Sequence, residues 1–598
     1  MSDIDFQVIG DFKTWSAPAV QVRNIAPQLD ELVIDWKRDE AAEPEQFTIS
    51  TAFEKGDIDY RFSTGKLRET ALPPSWGSEL SSDLASNEPA CLMINPSGIN
   101  RLAVAVSEVK RKVLLYTGVS EETTKDDGNI RVKVTFFSES EAPLKEYHAV
   151  IRFDRRAQFY ADTMADITKW FQTDCGCPAA TIPALAYAPI YSSWYTWHRS
   201  IQDTVVEEQM DEAAKYGLRG VILDDGWQKD DDSTGYAFCG DWEVSRKRFS
   251  DFAEHVKKVH EKGMYYMLWY AVSLLGMKSK KYQEFKDKIL YTWNGQGCCC
   301  LDPRFPEVRD YLAGIYERAV KEWDLDGMKL DFIDAFSMYL TKLYNDGKDP
   351  AVAQNYAGRD IKSISEAVDK LMAEAIARIK AVKPNALIEF RQSYFGPAIR
   401  KFGTMFRASD CPGDCYSNRI RTIALRLTCG DAPVHSDMLM WLTTESVEVA
   451  ARQFLNVLFS VPQISVDLLN LPAEHQQMLH FWLEFWKQHS MTLLHGNLRP
   501  YLPQNDFAVV TAENDREEIA AVYSNGQTVP VSEHSERKCC IVNASDTDKV
   551  VVDNAGAKER HGVIFDAMGN FLGEVSLKSG LQYIKVPVSG LAEFEPEK

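Results

Sequence analysis

A chain of 598 residues is too long for a single hydrophobic core, so two or three domains are expected. Its apolar fraction of 45% and charged fraction of 26% are those of an ordinary globular protein. A formal net charge of −20, from 87 acidic and 67 basic residues, argues against nucleic acid and anionic membrane as partners, because both are themselves negative.

The first residues, MSDIDFQVIGDF, are acidic and mixed, without the basic start and apolar run of a secretory signal. No stretch approaches the roughly 18 uncharged apolar residues of a membrane span. The expected compartment is therefore cytoplasmic. Residues 1–178 read as β-rich: IRVKVTFFSES (130–140) alternates apolar and polar positions, and LVIDWKR, FTISTAFEK, RLAVAVSEV and KVLLYTGV behave similarly. Short strands separated by turn residues suggest an N-terminal β-sandwich. A helix is expected to lead out through ADTMADITKWFQ.

Over 179–498 the pattern alternates between strand and helix. IPALAYAPIYSSWYTWH ends in polar residues, and TVVEEQMDEAAKYG follows as a helix. In that helix Thr204 and Glu207 have capping-box spacing, Val206, Met210 and Ala213 share a face, and Gly217 sits where a C′ glycine belongs. Next come LRGVILDD, a helix with Phe249, Phe252, Val256 and Val259 on one side, and GMYYMLWYAV. A helix marked by Val308, Leu312, Ile315 and Ala319 precedes GMKLDFID. NALIEFRQ, MFRASDC, APVHSDML and FSVPQISVDL complete eight strands, which favours a central (β/α)₈ TIM barrel. A doubly wound open sheet is disfavoured, because no glycine-rich phosphate loop follows the first strand. Residues 499–598 are turn-rich with short strands and read as a C-terminal antiparallel β-sandwich.

The twelve cysteines include Cys175 and Cys177, the run Cys298 to Cys300, Cys411 and Cys415, and Cys539 and Cys540. No pair of CxxC elements is present, so reduced thiols rather than a metal site are expected. No metal and no cofactor is anticipated.

Chemistry in a barrel sits at the C-terminal ends of its strands, and polar residues collect there: Asp224 and Asp225, Trp269, Lys329 and Asp331, Glu389 and Arg391, Asp410, His435 and Asp437. In GMKLDFID, alternation puts Lys329 and Asp331 on the inward face, while Met328, Leu330 and Phe332 face the outer helices. An ammonium beside Asp331 would keep it anionic and nucleophilic; a buried structural ion pair is the alternative. In VILDDGWQ (221–228), two adjacent carboxylates before a glycine repel each other unless something such as sugar hydroxyls binds them; a solvated turn is the alternative. Asp410 supplies a second carboxyl on a later strand, with Asp437 and Asp414 as rivals. Two carboxyls flanking one bond are the requirement of a glycosidase.

Taken in order, LDDGW, GDW (240–242), GMYYMLW, KLDFID and SDCPGD resemble the α-galactosidases of glycoside hydrolase family 36. The resemblance covers the barrel and implies an N-terminal β-supersandwich, a central barrel and a C-terminal antiparallel sheet. It implies that Asp331 is the nucleophile and Asp410 the acid/base. Asp224 and Asp225 would hold the O4 and O6 hydroxyls, Lys329 would lie beside the nucleophile, and Trp269 would wall the pocket. Trp227, Arg391, His435 and Asp437 are further candidate substrate contacts.

The implied activity is retaining, exo-acting hydrolysis of terminal α-galactosides by double displacement, with Asp410 carrying a raised pKa. The chain departs from the family in three places. YAVS replaces Glu-Pro-Glu after the tryptophan strand, Arg407 replaces a tryptophan, and EFRQSYFGP replaces a Cys-Ser-Ser-Gly-Gly-Gly loop. These leave the C2 substituent open, so an α-N-acetylgalactosaminidase or α-galactosaminidase stays in view. So do a galactosyltransferase of the raffinose-synthase type, a barrel glucosidase and a non-catalytic carbohydrate-binding protein. The relatives often form dimers or tetramers, so a homo-oligomer is expected.

Overall fold

The computed structural model describes residues 4–65, 67–68, 71–74, 76, 79–121, 128–230, 232–345, 356–391, 395–556 and 558–596. Two compact units are distinguished by their internal contacts. One comprises residues 1–183, 225–253 and 267–404; the other comprises 184–224, 254–266 and 405–598.

The first unit opens with two sheets, one of five strands and one of six, folded over a shared core. The alternation in IRVKVTF does what its period demands: Ile130, Val132, Val134 and Phe136 are all within 1% of full burial in that core. On the other face, Lys133 lies over the Tyr116 ring at 5.7 Å. Trp36 anchors the core, touching Trp15, Phe12, Phe47 and Phe137. The helix Tyr160–Thr173 leads out, burying Met164, Ile167, Trp170 and Phe171.

All eight expected barrel strands are present: β1 (Ile190–Ser192), β2 (Gly220–Leu223), β3 (Tyr265–Ala271), β4 (Gly327–Asp331), β5 (Leu387–Arg391), β6 (Met405–Arg407), β7 (Val434–His435) and β8 (Gln463–Ile464). They form one parallel sheet in the order β7-β6-β5-β4-β3-β2-β1-β8. A parallel bridge from His435 to Val461 adds a link between β7 and the entry to β8. The fold is a TIM barrel flanked by antiparallel sheet domains. Four-residue strands such as GVIL are buried on both faces, as parallel strands covered by helices must be.

The helix Asp203–Lys215 buries Val206, Met210 and Ala213, and Gly217 takes φ +77° just past its end. Its start differs from expectation. The helix begins at Asp203 with Gln202, not Thr204, at its N-cap, and the Thr204 N–H donates to the Asp203 carboxylate within the first turn. Glu207 instead pairs with buried His255 and with Lys258. A small sheet of Leu274–Gly276, Ile289–Trp293 and Cys298–Leu301 is inserted between β3 and β4. The cysteine run forms one of its strands, each thiol fully buried.

In the second unit, the long helix α1 (Ala473–His495) is followed directly by a sandwich of seven-stranded and three-stranded sheets. The seven-stranded sheet includes β9 (Glu517–Val522), β10 (Lys538–Asn543) and β11 (Leu591–Phe594). The pairing is mostly antiparallel. β9 and β10 run parallel because the strand between them, Thr528–Val531, crosses to the other sheet. Among the described residues, no helix is long and apolar enough to cross a membrane.

Candidate active site

Asp331 is the last residue of β4, and donors to its carboxylate among the described residues include a guanidinium, a backbone N–H and an indole. Arg391 Nε donates to Oδ1 at 3.0 Å, the Phe332 N–H donates to the same oxygen at 2.8 Å, and Trp269 Nε1 donates to Oδ2 at 3.2 Å. The register explains the gathering. Trp269 on β3 lies opposite Lys329 on β4, which lies opposite Glu389 on β5, so these three form one row. Asp331 and Arg391 each follow two residues later, one step nearer the strand ends. Lys329 is buried at 4% exposure and Asp331 at 6%. Arg391, expected to touch substrate, is an ion-pair partner of Asp331 through a charge-assisted hydrogen bond.

Phe332 corrects a sequence expectation. Alternation places it toward the outer helices, but the strand ends at Asp331 and Phe332 takes φ +62°. The left-handed turn carries its ring onto Tyr236, with centroids 4.9 Å apart, and beneath the Arg391 guanidinium at 5.7 Å. The YAVS stretch that departs from the family fixes this turn. The Val272 N–H donates to the Asp331 carbonyl at 2.9 Å, and Ser273 Oγ donates to the Phe332 carbonyl at 2.8 Å. Asp334, one turn on, was not singled out from the sequence. Burial pushes its carboxyl up to about 6, with Asp331 pushing the same way and Arg391 opposing.

Trp269 is 2% exposed, so it presents little free face; its indole N–H is its contribution to Asp331. Trp227, a candidate substrate contact in the sequence, is fully buried. Its Nε1 donates to the Trp269 carbonyl at 3.0 Å, and its ring packs against Trp242, Phe252, Tyr270 and Trp323. Trp242 of the GDW motif takes φ +53° and packs edge-on to Trp269 at 6.0 Å. Tyr236 and Trp242 thus back the tryptophan that holds Asp331.

Asp224 and Asp225 are both 3% exposed, which rules out a solvated turn. The Asp224 N–H donates to Ser193 Oγ at 2.9 Å. Asp225 Oδ1 accepts from Gln228 Nε2 at 2.8 Å. Gly226 follows with φ +119°, a conformation open only to glycine, and its N–H returns to Gln228 Oε1.

In the second unit, Arg407 is a fulcrum. Its Nη2 donates to Asp410 Oδ1 at 2.9 Å and its Nη1 donates to Asp437 Oδ1. Asp437 Oδ2 also accepts from the Cys411 N–H at 2.6 Å and Tyr195 O–H at 2.9 Å. Asn418 grips the Asp437 backbone at both its N–H and its carbonyl. Asp437 is fully buried and ringed by donors, so it holds the Asp410 segment rather than offering a carboxyl to substrate. Burial pushes it up, against the pull of Arg407.

Asp410 keeps 47% of its side chain exposed, and Arg421 holds its carbonyl and that of Ser409. Among the described residues, the Arg407 guanidinium is the charged group paired with it. The rival Asp414 caps the helix Cys415–Thr428 through the Ser417 N–H at 3.0 Å. His435 is also fully buried. Its Nε2 contacts the Ala186 carbonyl at 2.8 Å, and burial lowers it to about 4, which keeps the ring neutral near pH 7. Of the EFRQSYFGP loop, residues 392–394 lie outside the described residues.

Tyr195, Asn418, Tyr236 and Trp242 were missed as supporting residues. Their roles depend on partners far away in sequence or on positive φ, neither of which leaves a local pattern.

Eight parallel strands, several of them ending in carboxylates, are the architecture of the barrel glycoside hydrolases. Residues 187–379 match the Melibiase family model. Alpha-galactosidase Mel36A of Lactobacillus acidophilus is 30% identical over 152 residues, 24% of this chain and 20% of that protein. Alpha-galactosidase 1 of Pediococcus pentosaceus is 24% identical over 190 residues, 30% of this chain and 25% of that protein. The matched stretch therefore spans only a fifth to a quarter of those relatives' own length. In fold, the chain is similar to an α-galactosidase from Lactobacillus brevis, with a TM-score of 0.62 at 15% identity over 99% of this chain and 85% of that one. It is also similar to AgaA of Geobacillus stearothermophilus in complex with stachyose, with a TM-score of 0.63 at 13% identity over 99% and 87%. Over residues 187–379 the chain carries a Melibiase domain, and it shares the fold of these α-galactosidases.

Proposed function

We propose that this chain is a retaining exo-α-galactosidase acting by double displacement on oligosaccharides with a terminal α-galactosyl unit, of the stachyose and raffinose kind. The observation that carries the reading is the setting of Asp331: a carboxylate at a strand end, aimed by an arginine, an indole and a backbone N–H. In the proposed reaction an Asp331 oxygen attacks the anomeric carbon as the glycosidic C–O bond breaks. Asp410 gives its proton to the leaving oxygen. Asp410 then takes a proton from water, which displaces Asp331 and releases galactose with its α configuration retained.

For Asp410 to serve as acid, bound sugar must remove solvent from its exposed half. Asp437 supports this role, because it takes up part of the Arg407 charge that would otherwise favour the anion alone. Asp224 and Asp225, buried and adjacent, are the proposed hold on O4 and O6, with Lys329 beside the nucleophile. The division into domains at 178 and 498 belongs to the same reading.

The test is proton NMR of aryl α-galactoside hydrolysis together with azide rescue. Wild-type protein should release the α anomer first. Asp331→Gly should be inactive, and azide should restore turnover to give the β-galactosyl azide. Asp410→Gly with azide should give the α-azide. First release of the β anomer, or normal activity in Asp331→Gly, would overturn the proposal.

A further inference from the structure

Away from the barrel mouth, three donor groups of different kinds meet where α1 packs on the seven-stranded sheet. A ring nitrogen of His489, the Cys540 sulfur and a Glu593 carboxylate oxygen lie within 4.8 Å of one another. The backbone sets this up. Cys540 on β10 and Glu593 on β11 are directly opposed antiparallel partners, so their side chains share a face. Their neighbours Cys539, Ile541, Ala592 and Phe594 point the other way, into the sandwich core.

His489 descends from α1 with its side chain only 5% exposed. Its Nδ1 is 2.7 Å from Glu517 Oε2, and Thr492 O–H steadies the other oxygen of that carboxylate. This leaves Nε2, which is buried and has no hydrogen-bond partner among the described residues. A buried imidazole oriented by a carboxylate, with its second nitrogen unsatisfied, is the arrangement that tunes histidine as a metal ligand. An unpaired buried nitrogen is otherwise costly, which gives the cluster a reason to hold something.

We propose that His489, Cys540 and Glu593 bind one Zn²⁺ that ties α1 to the C-terminal sheet. Imidazole, thiolate and carboxylate are all established zinc donors, and three of them leave a fourth tetrahedral position for water. Zinc bonds of about 2.0–2.3 Å require donors roughly 3.3–3.8 Å apart, so the set closes by about 1 Å on binding. The Glu593 side chain supplies most of that movement. It must release Lys538, which already reaches Glu595 at 3.5 Å as a second partner. Binding replaces the S–H bond of Cys540 with a Zn–S bond, and the proton leaves to solvent. One thiolate and one carboxylate then neutralise the metal charge.

The test uses the whole chain, stripped with a chelator and titrated with Zn²⁺ or with Co²⁺ as a spectroscopic probe. One Co²⁺ per chain should bind, with a near-ultraviolet thiolate charge-transfer band and the intense visible bands of a four-coordinate ion. Zn²⁺ should displace it, release about one proton per metal, and raise the unfolding midpoint as its free concentration rises. Cys540→Ser and His489→Gln should each abolish the charge-transfer band or weaken Co²⁺ binding at least tenfold. Cys539→Ser, which alters the core face, should leave both unchanged. Galactosidase activity of stripped and loaded protein should agree, so failure of the barrel reading would not be mistaken for failure of this one. Absence of stoichiometric Co²⁺ binding, or a band that survives both His489→Gln and Cys540→Ser, would overturn the proposal.

Discussion

Replacing Arg391 by alanine tests whether the nucleophile depends on its guanidinium partner. Arg391 Nε donates to Asp331 Oδ1 at 3.0 Å, and the arginine side chain is only 20% exposed. A charge-assisted hydrogen bond in that setting is worth about 1.5–3 kcal/mol. If its loss falls wholly on the transition state, kcat/KM drops by about 10- to 150-fold, since about 1.4 kcal/mol is a factor of ten. Lysine should not restore activity, because a point charge on a flexible stem cannot reproduce the Nε direction or the contact over Phe332. The assay is steady-state hydrolysis of an aryl α-galactoside, with circular dichroism confirming the fold. The loss should appear mainly in kcat, because Asp331 acts in bond formation. An Arg391→Ala variant within threefold of wild type in kcat/KM would refute the account of how Asp331 is positioned.

Asp437→Ala should destabilise the second unit by roughly 2–4 kcal/mol, because it removes one of the two carboxylates that pair with buried Arg407, leaving Asp410, and the acceptor for Tyr195 and Cys411; a denaturant midpoint unchanged from wild type would contradict this. Trp227→Phe should keep the ring cluster but lose the bond to the Trp269 carbonyl, costing about 1 kcal/mol of stability and lowering kcat severalfold; an unaltered kcat would show that Trp269 needs no such support. Asp334 carries a raised pKa of about 6 against an ordinary 3.8, so between these pH values the folded chain holds a proton that the unfolded chain has lost. Stability from this group is therefore lost as pH rises through that window, by at most about 3 kcal/mol. Asp334→Asn should match wild type near pH 4 and exceed it by roughly 1–3 kcal/mol at pH 7. Denaturation midpoints measured across that range check it, and a variant less stable at pH 7 would reverse the sign.

The barrel was legible because several strands announce themselves as apolar runs ending in charge, from GVILDD to APVHSD, and those ends are where a barrel presents polar groups. The small sheet that holds Cys298 to Cys300 was not legible. A strand buried on both faces shows no alternation, and CCCL has no strand signature of its own. At the candidate site, Lys329 and Asp331 came from strand alternation and Trp269 from its place on an apolar strand, and the structure sets Trp269 opposite Lys329 and bonds it to Asp331. Arg407 stood out only as a departure. Its place between Asp410 and Asp437 depends on a contact across 30 residues of sequence that no local pattern carries. Trp227 and His435 look polar-tipped and available in the text, but are sealed by aromatic and barrel-wall packing respectively. His489, Cys540 and Glu593 come from a helix and two strands, so their meeting has no sequence spacing to betray it.

Eleven of the twelve cysteines are buried and only Cys175 is partly open, while burial holds the thiols at both Cys298 and Cys300 above their ordinary range. In the native state, an alkylating reagent therefore meets little reactive sulfur. The thiols are scattered over the N-terminal sheets, the inserted sheet, the barrel and the C-terminal sandwich, so each becomes reactive only when its own neighbourhood opens. Timed alkylation followed by peptide mass mapping would then record the order in which the parts of the chain come undone, without any introduced label.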